Sequence, residues 1–183
     1  MLIAGSILLA ALSGLLLWSS KPAAHWSGMA SARFAAGLIL LIHALLSLSS
    51  NLIPAEGQLI AEQLSLYAAL PLLVATLLVN ALGYQWSRLI WGRILLALCV
   101  VFELTRRAGE LPALLWASLA VAIISAMIQI SQSRKQSLNN NIAALVSWAA
   151  LAGWYQHSGL QQQDQLLWLA AMLVPVIYLH RRR

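Results

Sequence analysis

The sequence predicts an all-α polytopic membrane protein: one domain over residues 1–183, a bundle of about seven transmembrane helices, N-terminus outside and C-terminus cytoplasmic. Three observations carry that prediction. The chain is 61% hydrophobic and 9% charged, whereas a soluble domain carries roughly 25% charged residues. Its apolar runs recur at close to the ~20 residues needed to cross hydrocarbon. Its charges also alternate between the ends of those runs. Threaded alternately, Lys21, Arg33, Arg88, Arg93, Arg134, Lys135 and Arg181–Arg183 share one side, and Glu56, Glu62, Glu103, Glu110 and Asp164 share the other. Basic residues are retained in the cytoplasm and acids contribute little to orientation, so the first side is cytoplasmic. Arg106 and Arg107 are the exceptions.

The first span is expected over Leu2–Trp18. No basic residue precedes it, which favours an uncleaved helix over a signal peptide. The second runs from Arg33 to about Asn51. Pro54 and Gly57 then break the pattern in an outer loop with Glu56 and Glu62. The third span, Leu64–Leu82, is interrupted by Pro71. The fourth is short, because nine uncharged residues separate Arg93 from Glu103. At about 1.5 Å per residue they cover less than half of a ~30 Å core. It spans if the arginines snorkel and Glu103 sits at the outer boundary; alternatively it lies inside the bundle, shielded from lipid. Gly109 and Pro112 lead into the fifth span, Leu111 to Ile130; the sixth is Ile142 to Tyr155, and the seventh is Leu166 to Leu179 with Pro175 inside. Trp18, Trp86, Trp91, Trp116, Trp154 and Trp168 fall near predicted ends, as an interfacial aromatic belt would.

The net charge of +6 follows from retained cytoplasmic loops beside anionic lipid rather than from a nucleic-acid surface, since no basic stripe with interleaved aromatics exists. Cys99 stands alone in an apolar run and reads as a small core residue.

A repeat is suggested at an offset of 102: Gly57 meets Gly159, Glu62 meets Asp164, Gln63 meets Gln165, and Ala68-Ala69 meets Ala170-Ala171. It sets helices 2 and 3 over helices 6 and 7 in a parallel 3+1+3 order. Pro71 and Pro175, 104 residues apart, are the prolines well inside spans, and proline-interrupted helices in corresponding halves point to a transporter site. Seven helices in this order resemble the SWEET-type sugar transporters in topology, although their Pro-Gln motif is missing. Helix 2 and Gln63-Leu64-Ser65-Leu66 also resemble cytochrome c assembly proteins, without the tryptophan-rich haem-handling motif.

His43 lies ten residues past Arg33, about 15 Å along the axis and near mid-membrane. An ionisable residue at that depth is either a functional group or a structural histidine bonded to a neighbouring helix. No second histidine shares its level, because His157 is near the outer end and His25 and His180 are cytoplasmic; no haem or other cofactor is expected. Glu103, Arg106, Arg107 and Glu110 form a second cluster, with Glu103 reaching the arginines at i+3 and i+4 and Arg106 reaching Glu110 at i+4. It reads as a self-neutralised ion-pair group or as a docking site for an anion or acidic partner. No catalytic or metal-ligating motif is present. The function expected is therefore non-enzymatic: a subunit or assembly partner of a larger complex in a bacterial-type inner membrane. Its partners are the lipid bilayer and a membrane protein or second copy, with no nucleic acid. The alternative is a small-solute transporter.

Overall fold

Local chemistry sets the helix ends. Ser27 is extended (φ −71°, ψ 154°), and its hydroxyl accepts from the Ala30 N–H, so helix 2 begins at Gly28, ahead of Arg33. Pro54 precedes helix 3, whose first turn carries Glu56. Proline's fixed φ and a carboxylate near the positive end of the helix dipole both favour a start there. The structure, a computed structural model, describes residues 2–22, 27–49, 54–132, 138–158 and 162–180. Among these are seven helices and no strands: α1 (Leu2–Ser19), α2 (Gly28–Leu48), α3 (Ala55–Ala81), α4 (Arg88–Ala108), α5 (Leu111–Ser131), α6 (Leu138–Ser158) and α7 (Gln162–His180). Arg134, Lys135 and Arg181–Arg183 lie outside the described residues.

Three of the seven, α2, α3 and α5, are long and apolar enough to cross a membrane by length and composition. The apolar parts of α1 and α7 are shorter, and α4 is punctuated by Arg93, Glu103, Arg106 and Arg107.

The expected outer loop with Glu56 and Glu62 is instead the first part of α3. Ala, Glu, Gln and Leu dominate that segment, and all are good helix formers. Nor does Pro71 end the helix. A π turn over Ser65–Ala69 precedes it, and the Leu70 N–H bonds to the Ser65 carbonyl, five residues back. The added residue re-registers the backbone where proline supplies no N–H.

Six helices form a closed ring of contacts, α1 to α2, α2 to α3, α3 to α5, α5 to α6, α6 to α7 and α7 back to α1. α4 lies outside it, against α2 and more lightly against α3 and α5. The core holds Leu9, Leu40, Leu70, Leu73, Leu119, Trp148, Leu169 and Met172. Glycines allow close approach: a Cβ on Gly5 would stand 3.1 Å from the Leu166 Cβ, and one on Gly28 would stand 2.5 Å from the Trp86 carbonyl oxygen.

Two expectations about individual side chains are corrected. Trp168 and Trp91 are buried core residues, not belt residues. Trp168 tolerates burial because its indole N–H donates to the Leu151 carbonyl at 3.0 Å. Cys99 is exposed rather than in the core, because α4 turns that face outward.

Candidate functional site

His43 is on the buried face of α2, in line with Ala36, Leu40 and Ala44. It is 5% exposed, and its Nδ1 is buried without a hydrogen-bond partner. The Ser47 hydroxyl bonds to the His43 backbone carbonyl at 2.9 Å and not to the ring. Ser13, Ser65, Thr76, Ser118 and Ser125 behave alike, each donating to a carbonyl of its own helix. A short hydroxyl three or four residues past a carbonyl is satisfied locally, which leaves little hydroxyl chemistry directed at the ring.

Pro71 is buried directly after the π turn of α3, and Pro175 is buried inside α7. Those two helices share no extended contact, so the structure does not gather the prolines into one site.

The charged cluster stands at the exposed end of α4. Arg106 meets Glu103 through two hydrogen bonds, Nε to Oε2 at 2.9 Å and Nη2 to Oε1 at 3.1 Å. Arg107 Nε donates to Oε1 at 2.8 Å. These bonds, that from Arg106 first, hold the Glu103 carboxyl far below the usual carboxylate range, at about 2. Glu110 is not brought into the cluster. Gly109 takes φ +75°, a left-handed conformation that costs glycine little, and ends the helix. The Glu110 N–H turns back to the Thr105 carbonyl at 2.9 Å, and its own carbonyl accepts from Ala113 in the next helix. The i+4 spacing from Arg106 therefore has no helix to run along. With one carboxylate between two guanidiniums, the cluster keeps a net positive charge, and the Arg107 side chain is 77% exposed.

A third feature was not singled out in the sequence: a cleft between α2 and α4 lined by Ser31, Ala35, Leu72, Arg88, Trp91, Gly92 and Leu95. Small residues on both sides open it, and Trp91 closes its inner end, packed at the Gly28 backbone. The available signal was two turns of small residues along one face of α2 (Gly28, Ser31, Ala32, Ala35) together with Gly92 in an otherwise bulky run. Comparison with protein-family models, with curated proteins and with solved structures gives no match.

Proposed function

We propose that this chain is a multi-pass inner-membrane protein that crosses the bilayer seven times, N-terminus outside, and serves without catalysis as a subunit or assembly partner of a larger membrane complex. One observation carries the reading: the outward face of α4. Leu89, Leu96, Val100 and Leu104 are 59–79% exposed there, yet Arg93 shares that face and Glu103, Arg106 and Arg107 end the helix. Apolar side chains so exposed are costly in water. A lipid-facing span is costly too, because the uncharged stretch is about half as long as hydrocarbon requires. A partner helix that covers the apolar stripe and offers acceptors to the arginines removes both costs. The basic-residue pattern supports the orientation.

A pull-down of the full chain from membranes in mild detergent tests this. A stoichiometric larger partner, lost when Leu96 and Val100 are changed to Asp, is the expected result. A lone monodisperse species would overturn it. Reporter fusions test the topology separately: activity after Arg183 only in the cytoplasmic format, and at Gly57 or Gln162 only in the outer format. A cytoplasmic signal at Gln162 would remove one span.

A second reading is a small-solute transporter on a 3+1+3 repeat. The contact ring favours it: each contact among α1, α2, α3 and α5 has a counterpart when α1, α2 and α3 are exchanged with α5, α6 and α7, and α4 lies outside. A parallel repeat about an axis along the membrane normal has this property. A monodisperse homodimer in the same pull-down would favour it.

A further inference from the structure

The cleft between α2 and α4 has a cavity volume of about 130 Å3 and is open to the outside of the bundle. That is close to the ~150 Å3 of an apolar cavity known to hold benzene, so it takes part of a chain rather than a whole amphiphile. Its chemistry is divided. Ala35, Leu72 and Leu95 make an apolar wall, while Ser31 and Arg88 sit toward the start of α4. Arg88 is exposed and, among the described residues, forms no ion pair. The first turn of α4 adds to the positive field, because the Ser87 side chain does not cap it. Trp91 is 2% exposed, and its indole N–H has no acceptor, although a buried indole N–H normally has one.

We propose that this cleft binds a phospholipid with an anionic headgroup, one acyl chain lying against Ala35, Leu72 and Leu95 and the phosphate at Arg88. Basic pockets between helices on the cytoplasmic side suit such lipids, because the inner surface concentrates them and arginine binds phosphate oxygens in pairs. The volume fits a chain segment, and the open side lets the rest of the lipid stay in the bilayer. The proposal rests on the membrane reading above, which fractionation of the chain with membranes tests by itself.

Native mass spectrometry of the purified full chain, with phosphatidylglycerol or phosphatidylcholine added, tests the site. The wild type retains one phosphatidylglycerol in preference to phosphatidylcholine. Gly92→Leu fills the cavity from a position where a new Cβ meets nothing within 4 Å, and it replaces a glycine inside a helix. The fold is kept, and retention drops about tenfold or more, equivalent to about 1.4 kcal/mol. Ala35→Val, on the opposite wall, lowers retention too and serves if Gly92→Leu does not fold. Arg88→Gln keeps some lipid but loses the preference for phosphatidylglycerol. A wild type without that preference overturns the proposal, as does undiminished retention in both cavity-filling variants. Full displacement of the lipid by inorganic phosphate would also overturn it, by reducing the site to an anion site without a chain. A chain that fractionates with membranes yet fails these tests loses the lipid site alone.

Discussion

α3 and α4 are neighbours in sequence and opposites in setting. From Leu70 to Val74 every residue of α3 is buried, proline included, as in a helix that is apolar all round and packed on all sides. In α4 the one buried residue is Trp91. In α3 the buried Ser65 and Thr76 bond to carbonyls of their own helix at 2.8 and 2.7 Å. The outer helix carries Arg88 and Arg93 near its start and a charged cluster at its end, where three guanidinium–carboxylate hydrogen bonds involve Glu103. The lesson is a division of labour. α3 determines how the ring closes, and α4 presents what the ring offers to its surroundings, a lipid cleft on its inner side and a partner stripe on its outer side in the readings proposed above.

That contrast can be broken most directly by truncating one leucine in each helix. Leu73→Ala should lower unfolding stability in detergent by about 2–5 kcal/mol, because Leu73 is fully buried. Leu96→Ala, at a side chain 68% exposed, should change it by about 0.5 kcal/mol or less. Equal losses would mean that α4 is covered in the isolated protein, most simply by a second copy.

A smaller effect is expected at the contact between the ring and α4. Gly28→Val places a side chain against the Trp86 carbonyl and the Trp91 ring, and the backbone carbonyl cannot yield by a rotamer change; a loss of about 1–3 kcal/mol is expected. Gly92→Ala, in open space, should instead raise stability by up to about 1 kcal/mol. Thermal melts of the two variants measure both signs, and a destabilised Gly92→Ala would place α4 closer to α2 than it lies here.

His43→Leu sharpens the comparison between buried polar groups. Removing a buried nitrogen without a partner, at nearly conserved volume, should leave the melting temperature unchanged or raised. A loss like that of Leu73→Ala would reveal an acceptor or donor for the ring, and with it a dedicated role.

The smallest effect is expected at the end of α4. Glu103 has a carboxyl pKa lowered from 4.5 to about 2 in the folded chain. A depressed folded value stabilises above the ordinary value and is lost as the pH falls toward the folded one. Melting temperature should therefore be flat between neutral pH and pH 5 as far as this group is concerned, with any contribution fading only below 4.5. Since the cluster is solvent-exposed, Glu103→Gln should give no measurable change at neutral pH. A clear loss would mean that the arginines lean on Glu103 to hold the helix end.

The sequence by itself determined that the chain is a series of helices and where several of them end, although α3 begins at Ala55, ahead of the expected Leu64. Apolar runs and their breakers are local signals: Gly83 and Gly109 both take positive φ at helix ends, and the ends expected near Ser19, Ala81 and Leu111 fall within a residue or two of those observed. It also made the Glu103 pairs legible, because i+3 and i+4 neighbours meet on any helix; the same spacing put Glu110 in the cluster, and the left-handed turn at Gly109 takes it out. Only the tertiary structure decided which faces turn inward. When nearly every face of a helix is apolar, periodicity no longer separates core from surface. Trp168 could thus be taken for an interfacial residue and Cys99 for a core residue. The position of α4 outside the ring and the cleft it forms with α2 depend on distant segments coming together: Gly28 packs against Trp91, while Ala35 and Gly92 line the gap left between the two helices. Close packing between helices is a property of pairs of surfaces, and a single chain read in order contains the surfaces but not their pairing.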